Sequence, residues 1–308
     1  MSAIGRRPAA QPGAPPAAQA TASPAAQATG RRAAMPTARP ISRSHRSGPA
    51  NRGARILLLS PHPDDIAWSL GGTVSRLRQA GAQLFAITLF ARSRYAPGSP
   101  AHGSSAATQV RALEEDAWAS LAGVQLDRAD LPDASLRGYD DDTEMGAKPS
   151  GEIVRAARAC LRTAFEAVRP HLTFAPLAMR GHVDHLAVRL AVSRSLQPPA
   201  PGLLWYEDLP YAEGGEPSDA GHRVLVDVSS HWRAKELGVS CYPSQLPDEI
   251  LPVLRRHAAG AAAATGRRPA TARAERLWAS SPGAVQRLRR LVTDGEGPRP
   301  PNTHGNGP

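Results

Sequence analysis

Apolar and polar positions follow two different periods through the middle of the chain. Short apolar runs of about four to eight residues predict strands, and longer segments with apolar positions three or four residues apart predict helices. We predict strands at Arg55–Ser60, Gln83–Phe90, His171–Ala175, Leu203–Tyr206 and Arg223–Val228, and helices at Leu70–Ala80, Thr108–Leu121, Glu152–Val168, Asp184–Leu196, His231–Val239 and Asp248–Ala259. Because strands and helices alternate, we expect an α/β domain with a Rossmann-like, largely parallel sheet flanked by helices.

Both ends of the chain lack this pattern. Residues 1–53 hold almost no large apolar side chain, and residues 282–308 are rich in Pro, Gly and Arg. Such segments bury too little apolar surface to compensate for the entropy lost on ordering. We therefore expect a disordered Ala-, Pro- and Arg-rich tail over 1–53, a folded domain over 54–281, and a mostly disordered tail over 282–308 with one short helix at Val285–Leu291. A flexible segment is also expected from Ala258 to Pro269.

The formal net charge of the 308-residue chain is +10, and the distribution of this charge indicates which part of the chain could bind an anionic partner. Residues 1–53 carry eight arginines and no acidic residue, whereas residues 54–281 carry 25 basic and 25 acidic side chains. A positive tail can bind an anionic surface, but a neutral domain has no electrostatic footprint for nucleic acid. We expect a small-molecule partner for the domain, and binding of nucleic acid or another anionic surface by the tail stays open as an alternative of another class. The oligomeric state does not follow from the sequence.

Two further features concern the compartment. No apolar run is long enough to cross a bilayer, so we expect no contact with a membrane. The two cysteines, Cys160 and Cys241, form no Cys-x-x-Cys pair and give no disulfide framework. We therefore expect a cytoplasmic protein.

A first cluster of polar residues follows the first predicted strand. The apolar run Ile56–Leu59 leads directly into Pro61-His62-Pro63-Asp64-Asp65, which places one imidazole and two carboxylates in a turn. Strands of an α/β sheet commonly present ligands and acid–base groups at their carboxyl ends. The alternative is a plain strand-to-helix turn in which an Asp caps the helix.

A second cluster, His182-Val183-Asp184-His185, follows the predicted strand His171–Ala175 and opens a helix. Since the carboxyl ends of parallel strands share one edge of a sheet, the two clusters can meet. Two histidines and a carboxylate leave a coordination position open for water, as in catalytic zinc sites. The clusters together predict a metal hydrolase, although Asp184 alone could be a helix cap.

These residues resemble the signature of the PIG-L/LmbE-like N-acetylglucosaminyl deacetylases. That signature contains a His-Pro-Asp-Asp motif followed by Gly-Gly and a later His-x-Asp-His, which here are His62–Asp65, Gly71-Gly72 and His182–His185. The resemblance implies the same α/β fold and the hydrolysis of the N-acetyl group of a 2-acetamido sugar, giving acetate and a free amine. It spans about residues 54–281.

Site roles follow from the resemblance, position by position. It implies that His62, Asp65 and His185 bind a metal ion, Zn²⁺ or alternatively Fe²⁺. It implies that Asp64 is the general base, and that His182 stabilises the oxyanion or protonates the departing amine while Asp184 holds its orientation. Arg92, Arg111 and Asp133 are expected to contact the sugar, although Arg111 could instead pair with Glu114 or Glu115 on one helix face.

The substrate is less sharply defined. Ile66 stands where many members of that family carry Glu, and Val183 replaces a frequent Pro, which argues against close identity with the thiol-cofactor enzymes. Together with an Ala-, Pro- and Arg-rich composition typical of high-GC actinobacteria, this favours a secondary-metabolite glycoside of the aminoglycoside or glycopeptide type. A mycothiol-type pathway deacetylase, or an amidase for another acyl group, remains the alternative among enzymes.

Overall fold

A computed structural model describes residues 53–140, 143–195, 202–212, 221–264 and 270–293. The predicted tail over 1–53, apart from Gly53, and the final part of the chain from residue 294 lie outside these ranges. The elements run β1 (Arg55–Ser60), α1 (Asp65–Gln79), β2 (Gln83–Thr88), α2 (Ala106–Ala122), β3 (Gln125–Arg128), α3 (Gly151–Val168), β4 (Leu172–Pro176), α4 (Val183–Ser195), β5 (Leu203–Tyr206), β6 (His222–Asp227), α5 (Trp232–Val239), α6 (Pro247–Ala263), β7 (Ala274–Ala279) and α7 (Pro282–Thr293).

The seven strands form one sheet in the order β3-β2-β1-β4-β5-β7-β6. The first five in this order are parallel, and β7 pairs antiparallel with both β5 and β6. The chain proceeds outward from β1 to β3 and then returns to place β4 on the other side of β1. This reversal of direction between β1 and β4 is the point at which open α/β sheets bind their ligands.

Strand β1 is buried on both faces because helices cover both sides of the sheet. Ile56 and Leu58 join a core cluster with residues of α1, α2, α5, α6 and α7. Leu57 and Leu59 point the other way and pack with residues of α3 and α4. A continuous apolar run is therefore what this position requires, since neither face meets water. The predicted Rossmann-like fold is confirmed.

Gly71 and Gly72 lie in the middle of α1, not at its start as the sequence suggested. A Cβ atom on Gly72 would lie 2.6 Å from the Cβ of Val228, and one on Gly71 would lie 3.0 Å from the Cγ of Lys235. These distances leave no room for a side chain at Gly72. The glycine pair therefore lets α5 and the sheet approach α1 closely.

The same close approach contains a buried ion pair. Lys235 Nζ lies 2.7 Å from Glu275 Oε1, and both side chains are almost fully buried. The Glu275 carboxylate also accepts hydrogen bonds from the backbone N–H groups of Gly72 (3.0 Å) and Thr73 (2.7 Å). One carboxylate in β7 thus joins α1, α5 and the sheet.

Several predicted boundaries need correction. Helix α1 begins at Asp65, the second aspartate of the motif, five residues before the predicted start at Leu70. The segment predicted to be flexible belongs in part to α6, which continues to Ala263 and buries Ala258, Ala261 and Ala262; residues 265–269 lie outside the described ranges. Strands β3 and β7 were not predicted.

The folded part also continues beyond residue 281, where we placed the end of the domain. Helix α7 covers Pro282–Thr293 and is longer than the predicted short helix. Its residues Ala284 and Leu288 are fully buried in the main core cluster, which explains why the helix packs against the domain. Among the residues that the structure describes, no helix combines the length and hydropathy needed to span a bilayer.

We expect Glu275→Ala to lower the free energy of unfolding by about 3–5 kcal/mol, because it leaves the Lys235 ammonium buried without a counter-charge. Urea denaturation of the full chain measures this change. The exposed pair of Arg255 with Glu236 has the same 2.7 Å separation and provides the control: Arg255→Gln should cost less than about 1 kcal/mol. Equal losses for the two variants would refute a structural role for the buried pair.

Candidate metal-binding and catalytic cleft

The predicted polar clusters meet at the carboxyl edge of the sheet. His62 and Asp64 lie in the turn between β1 and α1, and Asp65 is the first residue of α1. His182 and His185 lie at the start of α4, which follows β4. Because β1 and β4 are paired in parallel, both turns emerge at the same edge.

Three potential ligand groups form a compact triangle. His185 Nε2 lies 3.3 Å from His62 Nδ1. Asp65 Oδ2 lies 3.4 Å from His62 Nδ1, and Asp65 Oδ1 lies 3.4 Å from His185 Nε2. Ligands about 2.0–2.2 Å from one tetrahedral ion are separated by roughly 3.3–3.5 Å. The triangle therefore has the dimensions of a metal site with an open fourth position.

The hydrogen bonds behind the two histidines assign their tautomers. His62 Nε2 lies 2.9 Å from Asp184 Oδ2, and His185 Nδ1 lies 2.5 Å from Asp208 Oδ1. Burial lowers the pKa of both imidazoles, but the adjacent carboxylates raise it above its ordinary value. If an ion took the place of the second proton, each imidazole would keep the N–H that it donates to its carboxylate, and the lone pairs of His62 Nδ1 and His185 Nε2 would face the triangle. Carboxylate–histidine pairs of this kind orient metal ligands and increase their basicity.

Asp65 completes the donor set as an anion. Burial alone would raise its pKa, but the adjacent His185 and His62 hold the pKa of Asp65 at about 2. Once the two imidazoles have each released their second proton, they and the Asp65 carboxylate form a ligand set suited to Zn²⁺ or Fe²⁺.

A set of three histidines is the other possible ligand group, since nitrogens of His62, His182 and His185 lie within 4.8 Å of one another. Both nitrogens of His182 are already engaged, however. Its Nδ1 accepts the backbone N–H of Asp184 at 3.2 Å, and its Nε2 lies 3.3 Å from Glu144 Oε2. No lone pair of His182 is left for a metal ion in this arrangement.

Asp64 lies beside the triangle without belonging to it. Arg111 Nη2 donates to Asp64 Oδ1 at 3.1 Å, and both side chains are buried. Burial raises the pKa of Asp64, while the positive charge of Arg111 opposes that rise. Arg111 therefore contacts the predicted base, Asp64, and does not form the alternative pair with Glu114 or Glu115. Glu114 binds Ser244 instead, and Glu115 binds Thr88 and Arg128.

Two predicted contacts need correction. The Asp184 carboxylate does not hold His182: its Oδ2 contacts His62 and accepts the N–H of Ala134, and its Oδ1 accepts from Arg137. Only the backbone of Asp184 reaches His182. Arg92 is not among the residues that line the cleft; it pairs with Asp130 at 3.2 Å, with 44% of its side chain exposed.

The backbone before His182 adopts an uncommon conformation. Ala178 and Arg180 have φ values of 60° and 57°, a region that costs a non-glycine residue roughly 1–2 kcal/mol. Asp208 Oδ2 accepts the N–H of Met179 at 3.0 Å, so the carboxylate that orients His185 also fixes this turn. Backbone strain retained beside polar groups is typical of functional sites.

The turns open onto a cleft with a volume of about 700 Å³, a size typical of small-molecule sites. Its inner wall combines predicted site residues with side chains from other loops and helices: His62, Asp64, Asp65, His182, Arg111, Asp133, Trp68, Glu144 and Tyr211. The ring of Tyr211 lies 5.6 Å from that of His182 and 5.5 Å from that of His185. Asp133 accepts from Ser135 Oγ at 2.6 Å.

Two important residues escaped the sequence analysis as site residues. Asp208 follows β5, the neighbour of β4, so its place after a predicted strand is a signal that could have identified it. Glu144 lies in a loop far from any predicted strand end, and no pattern in the sequence indicates that it contacts His182.

Comparisons with known proteins match the chain to a deacetylase family. Residues 57–196 match the family model described as PIG-L, GlcNAc-PI de-N-acetylase. The chain is 35% identical to 2'-N-acetylparomamine deacetylase of Streptomyces fradiae over 76% of its own length and 93% of that protein. It is 28% identical to diacetylchitobiose deacetylase of Thermococcus kodakarensis over 44% and 47% of the two lengths.

A solved structure shows the same fold. It is a deacetylase of the teicoplanin biosynthesis pathway, which superposes with a TM-score of 0.60 over 73% of this chain and 97% of the other, at 23% sequence identity.

We expect Asp208→Asn to weaken Zn²⁺ binding about 10- to 100-fold, because the amide can no longer fix the tautomer of His185. Competition between the full-length protein and a chromophoric chelator measures this affinity. Glu207→Gln is the matched control, since Glu207 is equally buried and adjacent but contacts His257 and Trp278. Similar Zn²⁺ affinities for the two variants would contradict the assignment of Asp208.

Proposed function

The chain belongs to the PIG-L family, and we propose that it hydrolyses the N-acetyl group of a 2-acetamido sugar in a small glycoside, releasing acetate and a free amine. The observation that carries this proposal is the triangle of His62, Asp65 and His185 beside the buried carboxylate Asp64. Of these four residues, His62, Asp64 and Asp65 line the cleft. A metal-dependent amide hydrolase combines these two components, a Lewis acid and a general base.

The triangle would hold Zn²⁺, with Fe²⁺ as the alternative. When bound, such an ion supplies a Lewis acid that polarises the amide carbonyl and lowers the pKa of water. Asp184 and Asp208 keep the two imidazoles in the tautomers that binding requires.

Asp64 accepts the proton of the attacking water. Its raised pKa makes it a stronger base than an exposed aspartate, and Arg111 keeps the carboxylate ionised and oriented. As the oxygen of water bonds to the carbonyl carbon, the proton passes to Asp64.

His182 acts on the opposite side of the reaction. Burial lowers its pKa, and although the hydrogen bond with Glu144 opposes this, the pKa stays below its ordinary value, which favours the neutral imidazole. Its Nδ1 accepts the N–H of Asp184, and its Nε2–H would stabilise the negative charge that develops on the carbonyl oxygen. The proton taken up by Asp64 would then pass to the nitrogen as the C–N bond breaks. Asp184 is then a positioning residue for His62, not for His182.

Similarity to the deacetylase of 2'-N-acetylparomamine supports an acetylated antibiotic intermediate as the substrate. Arg111 and Asp133 line the cleft beside the reacting groups and would contact the sugar. The free cysteines Cys160 and Cys241 support a place in the reducing cytoplasm.

We expect Asp64→Asn to reduce the rate of acetate release at least about 10²-fold, because Asp64 is the general base. One equivalent of metal should stay bound, because Asp64 is not a ligand. Acetate release from N-acetylated amino sugars and elemental analysis of the same preparation measure the two properties. As the control, His185→Ala should lose both metal and activity. An active Asp64→Asn variant, or one that no longer binds metal, would contradict the assigned role.

A further inference from the structure

Gln245 is a buried polar residue of the cleft wall that has no task in the metal site or in the proposed reaction. Only 5% of the residue is exposed, yet it lines the cleft, and it ends a helical turn, Pro243–Gln245, just before α6. A buried amide needs hydrogen-bond partners for its oxygen and for its N–H groups. The partners of Gln245 therefore indicate what this side chain can bind.

A chain of hydrogen bonds fixes the orientation of the amide. The buried Glu114 carboxylate accepts the backbone N–H of Ser244 at 2.7 Å and the Ser244 hydroxyl at 2.6 Å. Because a carboxylate only accepts hydrogen bonds, the hydroxyl gives its proton to Glu114. Ser244 Oγ is then an acceptor for its other neighbour, and Gln245 Nε2 donates to it at 2.9 Å. The amide of Gln245 cannot turn over without losing this bond.

The oxygen at the other end of the amide is left available for a ligand. Gln245 Oε1 has no hydrogen-bond partner in the part of the chain that the structure describes. It is also not one of the unpartnered polar atoms that the protein encloses completely. Since the residue lines the cleft, the accessible oxygen meets the space that a substrate would occupy. It favours a ligand group that carries a proton.

Contacts with three other segments hold this helical turn in place. The Tyr242 hydroxyl donates to the carbonyl oxygen of Pro63 at 2.8 Å, in the turn that leads from β1 into α1. The backbone N–H of Gly98, between β2 and α2, donates to the carbonyl oxygen of Ser244 at 2.8 Å. Together with Glu114 of α2, these contacts position the amide before a substrate arrives, which reduces the entropy cost of binding.

A purely structural role would not need the amide. Glu114 already satisfies both the N–H and the hydroxyl proton of Ser244, and these two bonds suffice to join the helical turn to α2. Gln245 adds one bond to Ser244 and keeps an accessible oxygen beside the cleft. An apolar side chain of the same length would fill the space without that oxygen.

We propose that Gln245 is a specificity-determining residue whose Oε1 accepts a hydrogen bond from one hydroxyl of the acetamido sugar, and that Ser244 is the positioning residue that orients it. This inference rests on the proposed deacetylase function and gives the sugar ring a contact away from the reacting acetyl group. The acetyl carbonyl oxygen cannot take this place, because it is itself an acceptor.

The first test removes the amide from the full-length, metal-loaded protein. Gln245→Met keeps the length of the side chain but removes both polar atoms. With 2'-N-acetylparomamine as substrate, it should raise KM about three- to ten-fold, the range for one hydrogen bond, and leave kcat unchanged, because the contact is lost from the ground state and the transition state alike. Gln109→Met, on an exposed part of α2 outside the cleft, should change neither constant.

Three substrate analogues, each lacking one hydroxyl of the acetamido sugar, identify the bonded group. For one of them, the wild-type protein should show the raised KM that Gln245→Met shows with the parent compound. Gln245→Met should then raise KM for that analogue no further. An equal effect of Gln245→Met on the parent and on all three analogues would overturn the hydroxyl contact, as would an unchanged KM for the parent.

Ser244→Ala tests the positioning role. It lets the amide of Gln245 turn over, so KM for the parent compound should rise by a smaller factor than in Gln245→Met. The double variant should match Gln245→Met alone, because Ser244 acts through the amide. Multiplied losses in the double variant would refute that role. If Gln245→Met does not fold, Ser244→Ala with the three analogues provides the same comparison.

A binding measurement separates this inference from the proposed function. Paromamine, the amine that deacetylation would release, should bind about three- to ten-fold more weakly to Gln245→Met than to the wild-type protein by calorimetry. If no acetylated compound is hydrolysed but this difference is observed, the deacetylase function fails and the sugar contact stands. Hydrolysis with a KM and a paromamine affinity that Gln245→Met leaves unchanged would overturn the contact and retain the function.

Discussion

The parallel pairing of β1 with β4 is the constraint on which the site depends. Leu57 lies opposite Thr173 and Leu58 opposite Phe174, so the two strands end side by side. A shift of one residue would exchange the buried faces of β1, where Ile56 and Leu57 pack into different core clusters. The hydrophobic core therefore fixes the register, and the register brings the two polar turns together.

Two buried carboxylates, of Asp184 and Asp208, then orient the imidazoles of His62 and His185. Asp184 and Asp208 are fully buried, and burial of a charge is unfavourable unless hydrogen bonds satisfy it. Each carboxylate accepts from an imidazole and from a backbone N–H, and Asp184 also accepts from Arg137. The stability needed to hold them comes from the rest of the domain, including the helices packed on both faces of the sheet.

Sequence patterns were sufficient to predict site residues that directly follow a recognisable strand. The strand ends after β1 and β4 placed six of the central side chains, because ligands gather at the carboxyl edge of parallel strands. These are His62, Asp64, Asp65, His182, Asp184 and His185. The pattern failed where a long-range partner decides the structure. Glu275 interrupts the apolar pattern of β7, which pairs with β5 and β6, and its buried contact with Lys235 explains how a carboxylate is accommodated there. Likewise, tertiary packing determines that the loop carrying Glu144 contacts His182 and that the Asp184 carboxylate contacts His62.

The most direct test of the account is anomalous diffraction at the zinc edge from crystals of the zinc-loaded full chain. We expect one ion about 2.0–2.2 Å from His62 Nδ1, His185 Nε2 and an Asp65 carboxylate oxygen, with His182 uncoordinated. An ion coordinated by His182 in place of Asp65, or the absence of a peak at the end of β1, would contradict it.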